Sequence, residues 1–517
     1  MTPSSTRGRP RRATSPISAR VAHAVLGAVI AVLWLALPGV TTAPEAPVVL
    51  APAGPSASAQ REEVEETTTA DLVLPLLAVG AAVVIGAYGY VRRRRRARTA
   101  PGAPPPGPVT GVPLADLDER ARAVLVAADD WVRTSREELD FAELRLGTEA
   151  VAPYARTVAA ARAELTEAFR MRQRYDEGVP GDQAARRQAL AGIVGRCVEA
   201  GRLLDEEAAG FDRLRDLADG IGGALEIAET RFRELTGRTG TAGALLAELA
   251  GRYPPAARAP VAGHVEQAKD RLVFATARLN EARQCADRGE HGRAAARLRA
   301  AEGAIAQADL LVRAVGRLAA ELAEAAGLVP AALTGAEAEL AGARERAGAA
   351  SSPGGELRAR ISHADAVLSA VREELTAGPY GPLDLLHRIV RATAPVADGR
   401  VGVLSAAAAL VARSAVAAAE DFVAAHRGAV GAEARTRLAA ARDAERTGPL
   451  AAEALARQAR QLAERDVRAH GHPDAAPGTG TAGALLGGIL LGPDATAAPA
   501  ASFGGPGTRA RRDSAPS

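Results

Sequence analysis

Two pairs of adjacent carboxylates, Asp129-Asp130 and Glu137-Glu138, are the residues best suited by type to general acid and base chemistry. Such chemistry needs two carboxyl groups that face one reacting centre. Both pairs fall in a segment whose apolar spacing predicts a helix, where sequence neighbours point in different directions. We therefore expect no acid/base dyad. No Ser/His/Asp arrangement or phosphate-binding loop stands out, so the sequence predicts no catalytic residue and no small-molecule substrate.

The glycine-rich stretch GTGTAG at 478–483 formally matches a dinucleotide-binding pattern. That pattern binds a pyrophosphate only where a strand turns into a helix, and here the polar stretch HGHPDAAP precedes it. The octapeptide TGTAGALL, which overlaps this stretch, also occurs at 239–246 and indicates compositional repetition. We expect no cofactor.

Histidines and cysteines do not cluster in a way that would bind a metal ion. His470 and His472 have no carboxylate or cysteine beside them, and Cys197 and Cys285 lie far apart in predicted helices. A zinc site needs closely spaced ligands of these types. The sequence predicts no metal site and two buried, inert thiols.

The middle of the chain, about 114–470, is rich in Ala, Leu, Arg and Glu and contains few aromatic residues. These are the strongest helix formers, so we predict an all-α fold of long antiparallel helices and helical hairpins with thin cores. Small and apolar residues follow a heptad seam that only Ser135 interrupts, which gives 114–236 coiled-coil character. The seam consists of Ala121, Leu125, Ala128, Val132, Ser135, Leu139, Ala142 and Leu146.

Breaks between helices are expected at glycines and prolines. Pro153 predicts a helix start and Pro330 a helix end. Gly289, Gly378 and Gly448 each follow an amphipathic stretch and predict three helical hairpins within 237–470. The Gly/Ala/Pro-rich tail, 471–517, is expected to be disordered, and its apolar stretch at 482–492 is too short to cross a bilayer.

The stretch LVLPLLAVGAAVVIGAYGYV, 72–91, predicts a transmembrane helix that begins at Leu72 and ends at Val91. Twenty uncharged residues span about 30 Å as a helix, which matches the hydrocarbon core of a bilayer. Arginines follow the apolar run directly, and basic residues next to a span stay on the cytoplasmic side, where they meet anionic lipid of the inner leaflet. These anchor residues are Arg92, Arg93, Arg94, Arg95, Arg96 and Arg98.

This orientation predicts an acidic extracytoplasmic stretch at 60–71, an arginine-rich stop and Pro/Gly linker at 92–113, and a cytoplasmic region over 114–517. The net charge is only +3, and the six anchor arginines exceed it. We therefore predict lipid and protein partners, with no nucleic-acid surface on the helical region.

An earlier apolar segment, 21–40, follows a basic start and resembles an export signal. Ala57 and Ala59 flank Ser58 in a pattern typical of a signal-peptidase site, but this site lies some twenty residues beyond the apolar run. Residues 1–59 are therefore either a cleaved signal or a first membrane segment. The chain is expected in the cell membrane with one or two spans.

The stretch that runs from RTSREELDFAELRLG to DEEAAGFDRLRDLA, 133–218, resembles the cytoplasmic helical region of actinobacterial membrane-anchored TPM-domain proteins. The tail motifs GGILLG, 487–492, and SFGGPGTRARR, 502–512, are similar to the tail of the same family. In that family a TPM domain, regarded as a phosphatase module, lies between the export signal and the span. Only residues 41–70 occupy that place here, too few for an independent domain, so the resemblance carries over no catalytic residue.

These patterns predict a membrane-anchored cytoplasmic scaffold or assembly protein without catalytic activity of its own, which binds a protein partner or self-associates through its helical faces. The alternative is an accessory subunit of a TPM-type phosphatase assembly whose active domain lies on another chain.

Overall fold

The structure, a computed structural model, describes residues 112–217, 220–349, 355–396, 402–470 and 502–513. Helices and the turns that join them make up these ranges, which contain no strand, and the predicted all-α class is confirmed. The predicted signal with Ala57 and Ala59, the span at 72–91 and the anchor arginines lie outside the described residues. The glycine-rich stretch at 478–483 lies outside them as well.

Helices α1 (Leu114–Leu146), α2 (Thr148–Asp176) and α3 (Gln183–Arg215) pack side by side around one core, and we call them the first bundle. The seam residues of α1 from Ala121 to Ala142 are all buried. The break between α1 and α2 falls at Gly147, whose φ is +84°, a conformation that favours glycine. The predicted start at Pro153 is therefore wrong: the helix begins at Thr148 and accommodates the proline on its exposed side.

The second core lies between α4 (Ile221–Arg252), α6 (His264–Asp287) and the first half of α7 (His291–Ala349). A short α5 (Pro255–Arg258) and a 3-10 turn (Ala259–Val261) connect α4 to α6. Helix α4 runs through 236 and 237 without interruption, so the region boundary predicted there falls inside a helix. It also contains the octapeptide at 239–246 in helical conformation, which agrees with compositional repetition.

Helix α7 has 59 residues and is therefore about 90 Å long. Pro330 lies within it, so the break predicted at this proline is wrong. A proline removes one backbone hydrogen bond of a helix. The helix continues because Val329 and Ala332, on either side of the exposed proline, are buried in the next core.

The third core combines the second half of α7 with α8 (Gly355–Ala377), α9 (Pro382–Thr393) and the start of α10 (Val403–Ala425). The rest of α10 packs on α11 (Ala432–Ala444) and α12 (Pro449–His470) in a fourth core. Gly289, Gly378 and Gly448 each lie between consecutive helices, as predicted. Helix α11 also packs against α1 and α2, and this contact joins the fourth core to the first bundle.

Residues 502–513 contradict the prediction of a tail disordered over 471–517. They fold as a turn followed by α13 (Pro506–Asp513) and pack on α3. The physical reason is that this stretch contains a large aromatic side chain, Phe503, which is fully buried in the first bundle. Composition alone does not reveal such a local anchor.

Two described helices, α7 and α10, are long and apolar enough to cross a membrane. Length and composition of this kind are weak evidence for membrane association. Both helices carry ionic side chains that pair within the helical region, as between Arg317 and Asp421. They supply the shared cores described above.

Candidate functional site: the tail groove

The C-terminal segment, defined as Ser502–Arg512, lies in a groove between α1 and α3 that we call the tail groove. Its wall contains Trp131, Ser135 and Glu138 from α1, Tyr154 from α2, and Gly201, Asp205, Phe211 and Asp212 from α3. These wall residues lie on the three helices of the first bundle. The groove is therefore built on rigid, packed helices.

An aromatic cluster holds the first part of the segment. The Phe503 ring stacks on Phe211 with centroids 4.3 Å apart and meets the edge of Tyr154 at 6.1 Å. Tyr154 also packs edge-on against Phe211 at 5.3 Å. Aromatic pairs in these geometries add to the free energy gained by burial itself. Phe503 is therefore the apolar anchor of the segment.

Asp205 binds the start of α13 from across the groove. Its carboxylate accepts hydrogen bonds from the backbone N–H groups of Gly505 (2.9 Å), Gly507 (2.9 Å) and Thr508 (2.8 Å). It also accepts one from the Thr508 hydroxyl at 2.6 Å. The first N–H groups of a helix have no partner within it, and they attract negative charge. A side chain of α3 thus caps a helix that is 300 residues away in sequence.

The only polar residue of the predicted α1 seam also serves the segment. Ser135 is fully buried, and its hydroxyl accepts a hydrogen bond from the backbone N–H of Gly504 at 3.2 Å. One turn further along α1, Glu138 accepts a hydrogen bond from the backbone N–H of Phe503. The interruption of the seam is therefore the place where the backbone of the turn before α13 binds.

A buried ionic network forms the floor of the groove. The Arg299 guanidinium donates to Glu138 at 2.8 Å, and Arg215 binds both oxygens of Glu302 at 2.9 Å. Burial alone would raise the pKa of Glu138, but the charges of Arg299 and Arg215 outweigh it and lower that pKa to about 2. Burial and the nearby charge of Glu138 raise the pKa of Glu302, and the lowering effect of Arg215 on that pKa is smaller. Glu138 is therefore held ionised as an acceptor.

Two glycines bring the backbones of segment and groove into direct contact. A Cβ atom on Gly505 would lie 2.2 Å from the carbonyl oxygen of Gly201, a distance that no side chain tolerates. A Cβ atom on Gly201 would lie 2.7 Å from Pro506 and 3.0 Å from the Trp131 ring. Only glycine at both positions permits this approach.

Replacing Gly201 by alanine is expected to release the segment while leaving the first bundle folded. Alanine stabilises a helix by about 1 kcal/mol relative to glycine, so the substitution does not weaken α3 itself. Any loss of order in the segment would therefore come from the steric conflict between the new methyl group and Pro506. Tryptic cleavage after Arg509, Arg511 and Arg512 should accelerate at least tenfold. Gly195→Ala is the matched control, because it lies on α3 with no atom within 4 Å of the added Cβ. Equal cleavage rates in the two variants would contradict this assignment.

The carboxylate pairs singled out in the sequence serve as structural ion pairs. Asp129 and Asp130 converge on one nitrogen of Arg435, each at 2.7 Å, although neighbours on a helix were expected to diverge. The guanidinium reaches both because it approaches from α11, across the side of α1. Glu137 and Glu138 do diverge: Glu137 binds Arg427 at 2.6 Å, whereas Glu138 faces the tail groove.

The remaining candidates give no reactive site among the described residues. Cys197 and Cys285 are buried and unpaired with each other, and burial raises the pKa of the Cys197 thiol to about 12. No group of three or more potential metal ligands occurs in the described part of the chain. His470 ends α12, and His472 lies outside the described residues.

A cleft of about 450 Å³ lies between α1, α4 and α7. Several of its charged lining residues pair with each other, as Arg238 with Asp309 at 2.6 Å and Arg136 with Asp140 at 2.8 Å, and Glu137 binds Arg427. Because much of this charge already has partners, the tail groove is the stronger candidate for a binding site.

His264, at the start of α6, is buried near the cations Arg460, Arg271 and Arg317 and near His426. Burial first, and then these positive charges, lower the pKa of His264 to about 4. There is therefore a pH range in which His264 is neutral in the folded protein but protonated in the unfolded chain.

Stability is therefore expected to fall by about 2–3 kcal/mol as the pH drops from 7 to 4.5, because the unfolded state binds the extra proton below its ordinary pKa of about 6.5. His264→Gln should flatten this pH dependence in urea denaturation curves measured at several pH values. His363→Gln, at an exposed position of α8, is the control and should retain the slope. An unchanged slope in His264→Gln would show that other groups cause the dependence.

No protein-family model matches this chain, and no solved structure matches it. Two proteins named UPF0603 protein, from two strains of Mycobacterium tuberculosis, are each 32% identical to it over 412 residues. The aligned part is 74% of this chain and 62% of each relative, so the chain spans less than two thirds of their length. The predicted actinobacterial kinship is thereby supported, whereas membership of the TPM-domain family is not confirmed.

Proposed function

We propose that this chain is a membrane-anchored helical scaffold that works by binding polypeptide segments and has no catalytic activity of its own. The observation that carries the proposal is the tail groove, where a packed helical bundle binds a turn and the start of a short helix through an aromatic anchor and five backbone N–H groups. Such contacts are those of a peptide-recognition surface.

The anchor of the scaffold is the predicted span at 72–91, followed by its arginines. Membrane fractions washed with carbonate should retain the chain, and deletion of 72–91 should move it to the supernatant. Protease added to inverted vesicles, but not to intact cells, should digest residues 114–517. Recovery of the intact chain in a detergent-free supernatant would contradict the anchor and with it the scaffold.

Partner binding is testable by photo-crosslinking in native membranes. The chain has one lysine, Lys269, so amine-reactive reagents are poorly suited. Photoreactive residues placed at Val198 on α3 and Val273 on α6, whose apolar side chains are 54% and 71% exposed, sample two faces of the helical region. We expect a discrete adduct with another protein or a second copy. A chain that remains monomeric and uncrosslinked at both positions would argue against a scaffold.

The alternative proposal is an accessory subunit of a TPM-type phosphatase assembly. The resemblance of 133–218 and 502–512 to that family favours it, and these stretches contain most of the tail groove and its bound segment. Phosphatase activity of membranes with and without this chain separates the two proposals. A scaffold of other machinery leaves that activity unchanged, whereas an accessory subunit changes it.

A further inference from the structure

We propose that the C-terminal segment is a separable ligand of the tail groove, which therefore binds peptides in which an aromatic residue precedes a glycine, a threonine and an arginine. The inference rests on the proposed function in one respect, that the groove serves binding. It adds the chemistry of the ligand and the reversibility of its binding.

The contacts that hold the segment all lie within eleven residues and involve few side chains. Phe503 fills the aromatic cluster, Thr508 donates to Asp205 at 2.6 Å, and Arg512 binds both oxygens of Asp212 at 2.6 and 2.7 Å. The other contacts use backbone N–H groups, which every peptide except one with proline there can offer. Recognition is therefore local to the segment.

The sequence requirement follows from spacing. Two residues after the phenylalanine the peptide needs a glycine, because a Cβ atom at that position would collide with the Gly201 carbonyl oxygen. A hydroxyl residue is needed five residues on for Asp205, and an arginine nine residues on for Asp212. This contact, in which one guanidinium nitrogen donates to both carboxylate oxygens, is charge-assisted and therefore stronger than a hydrogen bond between neutral groups. These four positions define the class of peptide.

Several contacts of the groove are made among its own residues. Glu138 accepts a hydrogen bond from Arg299 at 2.8 Å and lies near Arg215 at 3.8 Å, and Phe211 packs against Tyr154. Ser135 and Phe211 lie on helices that share a core. Because these contacts do not involve the segment, we expect the groove to lose little order when the segment leaves, which favours reversible binding.

Residues 471–501, which comprise 31 positions, join the helical region to the segment. Because the segment is covalently joined to the chain, its local concentration at the groove exceeds that of a free peptide. A free peptide of the same sequence competes only when the segment is cut from the chain or when the peptide is in large excess.

The test uses the full chain in detergent micelles, with a specific protease site inserted within 471–501 and cut after folding. The freed segment is expected to co-elute with the chain in gel filtration. A fluorescent synthetic peptide of residues 498–517 should then replace it and bind with one-to-one stoichiometry, measured by anisotropy. Before cleavage, the same peptide should bind at least tenfold more weakly, because the tethered segment competes.

Variant peptides test the assigned contacts. A Phe503→Ala peptide should bind about 100-fold more weakly or worse, since truncating a buried phenylalanine costs several kcal/mol in cores. A Gly505→Ala peptide should not bind at all, whereas Ala510→Ser, at an exposed position, should match the native peptide.

Failure of the native peptide to bind the cleaved chain would overturn the inference, and so would equal binding of the native and Gly505→Ala peptides. These measurements need neither a membrane nor a partner. They can therefore fail while the membrane anchor holds, and they can succeed if the fractionation experiments fail.

Discussion

Replacement of Arg215 by methionine is expected to lower the free energy of unfolding by about 3–5 kcal/mol at pH 7. Arg215, only 2% exposed, binds both oxygens of Glu302, which is itself buried. Methionine fills much of the arginine volume but leaves the carboxylate without its guanidinium in a site that excludes water. An uncompensated buried charge is among the most destabilising changes known for single substitutions.

The loss caused by Arg215→Met should shrink as the pH is lowered. Burial already raises the pKa of Glu302 in the native protein, and removal of the arginine raises it further. The folded variant then binds a proton at a pH where unfolded glutamate is still ionised. Since the folded state binds more protons there, its stability relative to the native protein rises as the pH falls.

Urea denaturation of Arg215→Met at pH 7.5 and 5.5, each against the native chain, measures this difference. A second substitution, Glu302→Gln, removes the orphaned charge and should recover at least half of the loss at pH 7. A loss below about 1 kcal/mol, or a double variant no more stable than the single one, would contradict the role of this pair.

Arg435→Leu is the second substitution with a large expected effect, again about 3–5 kcal/mol. The Arg435 guanidinium, in a residue 2% exposed, joins α11 to Asp129 and Asp130 of α1 and donates to the Val430 carbonyl at 3.1 Å. Burial would raise the pKa of Asp129, yet Arg133 and Arg435 lower it to about 2. Without Arg435, Asp129 and Asp130 lose the guanidinium that joins them to α11.

The damage from Arg435→Leu should be confined to the junction of the first bundle with the fourth core. Hydrogen exchange is expected to accelerate in α11 and α12 and to stay unchanged in α8 and α9, which pack in the third core. Arg435→Lys should rescue little, because a single ammonium nitrogen cannot occupy the three separate positions from which the guanidinium binds the carboxylates, the Val430 carbonyl and the Arg427 carbonyl.

Arg465→Leu is the matched control for Arg435→Leu. Arg465 is on α12 and pairs with Glu433 of α11 at 3.4 Å, but its side chain is 62% exposed. An exposed pair of this kind contributes about 0–1 kcal/mol. If both leucine variants lose the same free energy of unfolding, the buried ion pairs of Arg435 do not stabilise the packing of α11 on α1.

Most of the helical architecture was predictable because helix formation depends on local composition and periodicity. Seven of the eight seam residues on α1, from Ala121 to Ala142, are buried, and Gly289, Gly378 and Gly448 marked turns between consecutive helices. Prolines were less reliable guides. Pro153 and Pro330 each cost their helix one hydrogen bond, and the packing of buried neighbours outweighs that cost.

The tail groove was not predictable, because its parts are brought together over 300 and more positions. Two signals were present: Ser135 is the one polar residue of the seam, and Phe503 is one of 7 phenylalanines in the chain and lies among glycines. Neither signal identifies the residues that Ser135 or Phe503 contacts in the folded chain. The low-complexity composition of the tail instead predicted disorder, because the contribution of a single side chain, Phe503, is lost when composition is averaged over the whole tail.

The sequence by itself determined that this protein is helical and that turns lie at Gly289, Gly378 and Gly448, because both depend on neighbours in the chain. The proposed membrane anchor rests on the sequence alone, through its hydrophobic length. Only the tertiary structure decided that Asp129 and Asp130 share Arg435, and that Ser135, Asp205 and Phe503 form one site. Hydrogen bonds and ion pairs between distant residues depend on the relative placement of helices, which no local pattern contains.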